Sequence, residues 1–595
     1  MKSSPGTTES QDPPPGRRAT IVAGAAAVIL FGASILFLHV LAVTTESINW
    51  DEFALFARAV DSVQGGKLIT GGRPGLGVVS LIPIAVPCES EVATVQLGRF
   101  LWIGWTLLAG LALWLLVRRC LTGAKEAPWA AALAVGLWFL VPVVERWSLH
   151  VRTDQPALAL ALLGTLGLLD RRGRLFTGIL SGALFGLGYL FSQKAVYVAA
   201  LGMLLWMFDR FPGLRGLLAS EWKRLVGIGA GGLAVLAAFR IATSLAFEIP
   251  DALTIDRALR FRADYSDMSA SALIGAGATL VPHLVLVLLM LLATHRLWGS
   301  GSPEQTLLLR SWAVLALGGA VLLFHTSRFV YFWITLGIFP AVALALALPV
   351  IRHALPPGLV RITLATTILL LAIPGISAAR SMLLDSQRFQ RESLEFVDRN
   401  FSDSEAGFQP ERALFCRDSD DPFPTYFTLR IGRDFRPAAR GKAEEFLRKF
   451  RERPVYYIVD SHRLSLFPPA IWDFWRAHYV PYYSAVAIPG FTVDGAGPSP
   501  QTGEIIIPGD YRWIPLASSS GAALRLDGVD LPAREARHLE AGAHSVETGS
   551  GVSGVVAWAL AEEPHDPQRS FYGLAMLNEF TYGNARGATR RRKVD

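Results

Sequence analysis

The sequence has only three cysteines, Cys88, Cys120 and Cys416, and they show none of the spacings of zinc sites. It contains no phosphate loop and no glycine-rich dinucleotide fingerprint, so no nucleotide-binding site is predicted. No inverted repeat of the kind found in many transporters is visible. Cys120 is expected on the cytoplasmic side, which excludes its pairing with the other two cysteines. A disulfide between Cys88 and Cys416 stays open at this point.

Apolar residues are abundant: 52% of the 595 residues are hydrophobic. A soluble protein of this length would not need so much apolar sequence, and runs of about 18 residues or more indicate membrane-spanning helices. The net charge of +7 does not indicate nucleic-acid binding, because the basic residues lie mostly in short loops between apolar runs, where they set topology.

About eleven spans are predicted. Their approximate ranges are 20–44, 92–117, 128–145, 156–170, 175–192, 195–208, 225–247, 271–294, 307–324, 329–350 and 359–379. Gly-rich 177–190 fits either one bent helix or a broken pair. Arginine and lysine concentrate in the loops on one side, which the positive-inside rule makes cytoplasmic. The N-terminus is then cytoplasmic, and the first loop and everything after Arg380 lie outside the bacterial cytoplasmic membrane.

The first outer loop opens with adjacent carboxylates, Asp51 and Glu52, inside the segment Ser47–Pro74. They begin a short amphipathic helix, whose apolar stripe is Phe53, Phe56, Ala57 and Val60. One interpretation is local: Asn49 caps this helix and Glu52 completes a near capping box. The other is functional, because an acid pair at the membrane surface suits a catalytic site.

Charged groups recur at the outer ends of several spans. Ionisable groups at membrane depth are costly and usually functional, whereas groups at the water boundary are cheaper, so the functional interpretation depends on their recurrence. Each has an alternative interpretation. Asp154, before Pro156, suits a helix N-cap. Lys194 suits a side chain that reaches up to the membrane interface, and Arg328 an interfacial anchor.

This pattern suits transfer of a sugar from a lipid-linked phosphate. Lysine and arginine would hold the phosphate and stabilise the charge on the leaving group. A carboxylate would take the proton of an acceptor hydroxyl as it attacks the anomeric carbon. Nothing in such a reaction requires a nucleotide site.

At these residues the sequence resembles a family. The Asp51-Glu52 pair, the Arg152–Pro156 stretch and the Arg328–Tyr331 segment leading to Pro340 look like C-type (GT-C) membrane glycosyltransferases. The nearest group contains protein O-mannosyltransferases, lipid A aminoarabinose transferases and bacterial lipopolysaccharide-core glycosyltransferases. The resemblance covers about residues 20–380. It implies a polyprenyl-phosphate-sugar donor, an inverting transfer, and a glycolipid, polysaccharide or protein acceptor.

By that likeness Asp51 is the catalytic base, with Glu52 beside it. The resemblance also implies donor-phosphate ligands at Arg152, Lys194 and Arg328, and a pocket with Arg73, Asp154, His325 and Tyr331. Some relatives need a divalent metal and others do not, so a metal at Asp51 and Asp154 stays open. The type of sugar, hexosyl or pentosyl, stays open as well.

Five regions are predicted: a disordered N-terminus at 1–19, a transmembrane domain at 20–380 with its first outer loop at 45–91, an α/β domain at 381–500, a small β-sandwich-like module at 501–562 and a tail at 563–595. Helices are expected at 388–400, 442–453 and 468–478, strands at 413–416 and 455–460, and a hairpin at 523–531.

Two other functions fit the sequence. A transporter or flippase of lipid-linked sugars would carry ionisable groups near the bilayer midplane and repeat symmetry. A non-catalytic assembly or anchoring protein would act through its C-terminal domain, and Asp51 would then matter only for folding.

Overall fold

A computed structural model describes most of the chain. The described residues are 37, 39–70, 74–171, 174–210, 214–248, 270–324, 332–384, 387–409, 412–417, 440–459, 467–495, 500–515, 523–549 and 551–565. The predicted N-terminal region, most of the first predicted span and most of the predicted tail lie outside these ranges.

Helices dominate the first two thirds of the chain. Residues 39–45 are helical, and the helices that follow are α1 (Trp50–Gln64), α2 (Leu76–Val79), α3 (Ile82–Ala85), α4 (Glu91–Cys120), α5 (Ala127–Phe139), α6 (Pro142–Leu149), α7 (Asp154–Leu169), α8 (Arg174–Phe191), α9 (Ala195–Arg210), α10 (Leu214–Ala246), α11 (Ala270–Leu297), α12 (Pro303–Phe324), α13 (Trp333–Leu336), α14 (Ile338–Ala354) and α15 (Pro357–Leu384).

Within the described residues, six helical stretches are long and apolar enough to cross a membrane. They are Glu91–Cys120, Arg174–Phe191, Glu221–Ala246, Pro303–Leu323, Trp333–Ala354 and a stretch that begins at Pro357 and contains α15. The predicted number of eleven spans is not confirmed. One reason is that the third predicted span, 128–145, is divided between α5 and α6, which meet near Pro142, a residue that cannot donate a helical hydrogen bond.

The glycine-rich segment 177–190 is one helix, α8, rather than a broken pair. Its glycines let α8 approach α10 closely: a β-carbon at Gly182 would lie 2.0 Å from the carbonyl oxygen of Ile228, and one at Gly231 would lie 2.0 Å from that of Ile179. Small residues at helix contacts permit this approach inside a membrane, where packing rather than the hydrophobic effect holds helices together.

The C-terminal part of the chain combines helices and sheets. Its helices are α16 (Arg388–Asn400), α17 (Arg440–Glu452) and α18 (Pro469–His478). Its strands are β1 (Gly407–Phe408), β2 (Tyr457–Val459), β3 (Tyr479–Tyr483), β4 (Val486–Val493), β5 (Gln501–Ile505), β6 (Gly509–Pro515), β7 (Leu524–Leu526), β8 (Val529–Leu531), β9 (Ala536–Leu539), β10 (Gly542–Glu547) and β11 (Gly554–Trp558).

Two sheets organise this C-terminal domain. The larger has the order β1-β2-β4-β11-β6-β9, with β3 also paired to β4, and the smaller has the order β5-β10-β7-β8. The strands before and after residue 500 therefore share one sheet, so the two regions predicted there are structurally joined. The predicted helices are present, and the predicted hairpin is formed by β7 and β8 around Asp527-Gly528, whose positive φ angles suit a tight turn.

The strand predicted at 413–416 is wrong. Residues 412–417 form an irregular segment, and their burial has another cause: they pack against the first loop. Phe415 stacks on Phe56 of α1 with ring centroids 5.5 Å apart. Cys416 forms a disulfide with Cys88, with a Cα–Cα distance of 5.4 Å, and Arg412 forms an ion pair with Asp61. The C-terminal domain is thus fastened to α1 and its surroundings.

We predict that the Cys88→Ser/Cys416→Ser double variant unfolds more readily than the wild type, by about 2–5 kcal/mol, because the cross-link restrains the unfolded chain over a long loop. The measurement is the thermal unfolding midpoint of purified protein, with and without reductant. Cys120→Ser is the control, since Cys120 is a free thiol. An unchanged midpoint in the double variant would show that the cross-link contributes no stability.

Candidate active site

The acid pair Asp51-Glu52 lies in the first turn of α1, and its backbone is fixed by a capping box. Asn49 is the N-cap: its side chain accepts from the backbone of Asp51 at 2.9 Å, and its own N–H donates to Glu52 Oε2 at 2.9 Å. The local interpretation of Glu52 is therefore confirmed. A capping box satisfies backbone donors that a helix start leaves unpaired.

Glu52 is also the centre of a buried charge network. Its side chain is fully buried, and Arg99 donates to Oε1 and Oε2 through Nε and Nη2 at 2.9 and 2.6 Å. His150 Nδ1 lies 2.7 Å from Oε2, and the N–H of Val151 donates to Oε1 at 2.9 Å. Burial opposes ionisation of this carboxyl, but the charge of Arg99 and the hydrogen bonds with Arg99 and His150 hold its pKa well below the usual range.

Both carboxylate oxygens of Glu52 accept hydrogen bonds from neighbouring groups. A catalytic base must reach the proton that it takes, whereas both oxygens of Glu52 are committed to Arg99 and to the segment around His150. The predicted catalytic roles of Asp51 and Glu52 stay predictions.

Asp51 faces a second charged group. Its Oδ2 accepts from Arg152 Nη1 at 2.6 Å, and Arg152 Nε lies 3.5 Å from Asp154 Oδ2. Asp154 Oδ1 accepts from Lys194 Nζ at 2.9 Å and from the hydroxyl of Ser192 at 3.2 Å. Asp51, Arg152, Asp154 and Lys194 thus form a continuous chain of alternating charge, which we call the acid–cation chain.

The two cations of the acid–cation chain, Arg152 and Lys194, lie in irregular segments between helices. Arg152 lies between α6 and α7, where its carbonyl accepts from the indole of Trp102 at 2.5 Å and its guanidinium lies 5.2 Å from the Trp147 ring centroid. Lys194 lies between α8 and α9, and its Nζ is 5.7 Å from the Phe332 ring centroid. Aromatic faces attract cations and hold them in position.

The alternative interpretation of Asp154 as a helix N-cap is wrong. The N-cap of α7 is Thr153, and Asp154 is the first helical residue. Its carboxylate is buried and paired with Lys194, so it holds a cation rather than a backbone N–H. Lys194, with 14% of its side chain exposed, is the cation that Asp154 holds.

Four predicted site residues lie outside the described part of the chain: Arg73, His325, Arg328 and Tyr331. Their predicted roles in phosphate binding and in the pocket stay predictions.

A divalent metal at Asp51 and Asp154 would meet a difficulty. The guanidinium of Arg152 contacts both carboxylates, so a metal ion bound by the two acids would have to displace it. Among the described residues, no group of three or more His, Cys, Asp or Glu side chains is arranged to hold a metal ion. Metal dependence stays open, with these two carboxylates as its candidate ligands.

Sequence reasoning missed Arg99. It lies within the apolar run of α4 and is fully buried, and besides Glu52 it donates to the carbonyls of Glu46 and Ser47 at 2.7 and 2.9 Å. The signal was present: a lone arginine in an apolar run is expensive and marks a functional or structural charge pair. Glu46 was missed as well; its carboxylate accepts from Arg146 at 2.7 Å.

Comparison with known proteins gives one informative likeness. The crystal structure of ArnT from Cupriavidus metallidurans bound to undecaprenyl phosphate matches with a TM-score of 0.53 at 10% identity, over 78% of this chain and 97% of that one. The oligosaccharyltransferase of Archaeoglobus fulgidus matches with a TM-score of 0.41 at 13% identity, over 76% of this chain and 73% of that one. Mycobacterial arabinofuranosyltransferase AftD matches with a TM-score of 0.42 at 15% identity, over 73% of this chain and 35% of that one. No protein-family model and no curated protein sequence matches.

The likeness to ArnT establishes the fold. This chain has the C-type glycosyltransferase fold: a multi-pass helical membrane domain followed by a C-terminal domain that contains strands. The fold expected from the sequence is therefore confirmed, whereas its activity has to be argued from the site.

We predict that Arg99→Met is strongly destabilising, by about 3–5 kcal/mol, because it leaves the buried carboxylate of Glu52 without its main partner. Arg99→Met/Glu52→Gln should recover part of the loss, since it removes the uncompensated charge. The measurement is the thermal unfolding midpoint of the purified variants. Arg118→Met, which changes an exposed arginine on the same helix, is the control. Equal midpoints for Arg99→Met and the control would contradict the assigned role.

Proposed function

We propose that this protein transfers a sugar from a polyprenyl-phosphate donor to an acceptor outside the cytoplasmic membrane, with inversion at the anomeric carbon. The observation that carries the proposal is the acid–cation chain, in which the buried carboxylate of Asp51 pairs with Arg152, and Asp154 links Arg152 to Lys194. The solved ArnT structure of the same fold contains undecaprenyl phosphate, which supports a lipid phosphate as the donor's carrier.

The proposed reaction is a single displacement. The acceptor hydroxyl oxygen attacks the anomeric carbon as the bond between that carbon and the phosphate oxygen breaks, and the bonding electrons leave with the polyprenyl phosphate. Asp51 takes the acceptor proton as general base. Arg152 and Lys194 hold the phosphate and stabilise the negative charge that develops on it. Asp154, which contacts both cations, keeps them at a fixed spacing.

The proposed topology places this site on the outer face. The concentration of arginine and lysine in the loops at the other ends of the spans supports this orientation. The Cys88–Cys416 disulfide supports it too, because disulfides persist mainly in oxidising compartments. The acceptor is a glycolipid, a polysaccharide or a protein, and the sugar is a hexose or a pentose.

The site favours an enzyme over a transporter of lipid-linked sugars. Asp51, Arg152, Asp154 and Lys194 all lie at the N-terminal end of a helix or in the loop directly before it, not in the middle of a helix. A transport pathway would instead place ionisable groups near the midplane.

We predict that Asp51→Asn lowers transfer of labelled sugar by about 100-fold or more, because the amide cannot accept the acceptor proton. Binding of undecaprenyl phosphate should be retained, since Arg152 and Lys194 remain. Transfer and binding are measured with purified protein in lipid nanodiscs. Asp510→Asn, at an exposed aspartate of the C-terminal domain, is the control. Full transfer by Asp51→Asn would rule out Asp51 as the base.

We predict that Lys194→Met weakens binding of undecaprenyl phosphate by roughly tenfold, the effect of losing one charged hydrogen bond. Lys194→Arg should bind more tightly than Lys194→Met, because it keeps the charge. Lys67→Met, at an exposed lysine in the first loop, controls for the general loss of positive charge. Equal affinities of Lys194→Met and the control would exclude Lys194 from the phosphate site.

A further inference from the structure

The segment that leads to Asp51 is held by side chains from distant parts of the chain. Residues 46–49 join the helical residues 39–45 to α1. The carbonyl of Glu46 accepts from Arg99 Nη1 and from Gln387 Nε2, both at 2.7 Å. The carbonyl of Val43 also accepts from Gln387 Nε2, at 2.8 Å. Without these donors the carbonyls at this helix end would be buried and unsatisfied.

Gln390 makes the contact nearest to the acid pair. The N–H of Ile48 donates to Gln390 Oε1 at 2.7 Å, and Gln390 Nε2 donates to the carbonyl of Ile48 at 2.9 Å. Its side chain is fully buried. One amide thus satisfies both backbone groups of Ile48, which directly precedes the N-cap Asn49. The position of the capping box is therefore fixed in part by Gln390, a residue outside α1.

Gln390 belongs to an element that the C-terminal domain holds rigidly. It lies in the first turn of α16. Further along this helix, Phe396 stacks on Tyr483 with ring centroids 4.4 Å apart, and the hydroxyl of Ser393 accepts from the N–H of Ala485 at 3.2 Å. Both partners lie on or between β3 and β4. A displacement of the sheet would therefore move Gln390 and, through it, Ile48.

We propose that Gln390 is a positioning residue for the transfer reaction: it fixes Ile48 and the capping box, and thereby holds the carboxylate of Asp51 towards Arg152. This inference rests on the proposed function. Gln390 lies on the C-terminal domain, so it makes that domain part of the catalytic apparatus rather than a separate module. Misplacement of a reacting group by about 1 Å can cost on the order of 100-fold in rate.

The test is Gln390→Met, which keeps the length and much of the volume of the side chain but removes both hydrogen bonds to Ile48. Gln501→Met is a matched control, because Gln501 makes the same paired contacts with the backbone of Asp494 within the C-terminal domain. Three quantities are compared with the wild type: kcat for sugar transfer, Kd for undecaprenyl phosphate, and hydrogen–deuterium exchange of peptides covering residues 43–52.

We expect Gln390→Met to lower kcat by about tenfold or more while Kd for undecaprenyl phosphate changes less than about twofold. Exchange at residues 43–52 should be faster, because the Ile48 amide loses its acceptor. Gln501→Met should match the wild type in all three. A merely structural role would instead lower kcat and weaken binding of undecaprenyl phosphate together, and that result would overturn the inference.

The outcomes separate this inference from the function on which it rests. If the wild type transfers sugar and Gln390→Met has an unchanged kcat, the inference fails and the proposed function stands. If Gln390→Met loses activity with unchanged exchange at residues 43–52, Gln390 does not act through Ile48 and the inference again fails. If the wild type transfers no sugar from any polyprenyl-phosphate donor, the proposed function fails and takes the inference with it.

Discussion

The buried ion pair between Glu52 and Arg99 is the constraint on which the site depends. Two charges removed from water must be paired and hydrogen-bonded, or the fold loses several kcal/mol. Glu52 meets this requirement by accepting from Arg99, from the N–H of Val151 and from its own helix cap. The bond from Val151 to Glu52 also brings their sequence neighbours together: Arg152, next to Val151, donates to Asp51, next to Glu52. The Glu52–Arg99 pair thus helps to position the Asp51–Arg152 pair, on which the proposed chemistry depends.

Part of this site could be predicted from the sequence. Asp51, Arg152, Asp154 and Lys194 stand at the ends of apolar runs, and helices that cross one membrane bring their ends to the same level. Which acid meets which cation could not be predicted, because pairing depends on how the helices rotate and pack. Asp51 and Glu52 are adjacent on one helix turn, so only the packing of α1 shows which carboxylate meets Arg99 and which meets Arg152.

The membrane domain followed from hydrophobic pattern, whereas the C-terminal domain was only partly predictable. Its amphipathic helices and its Asp527-Gly528 turn have strong local signals. The segment at 413–416 has the apolar composition of a strand, but its burial comes from contacts with Phe56 and Cys88, residues far away in sequence. Tertiary contacts of this kind override local propensity.

The attachments of the C-terminal domain also dictate an order of assembly. Cys88 emerges early in synthesis and its partner Cys416 comes 328 residues later, after the last membrane helix; Gln390, which holds Ile48, also follows that helix. The nascent chain therefore carries Asp51 long before it carries the groups that fix it. Under the proposed function and topology, the surroundings of Asp51 are therefore complete only after the C-terminal domain has been exported and the Cys88–Cys416 disulfide has formed.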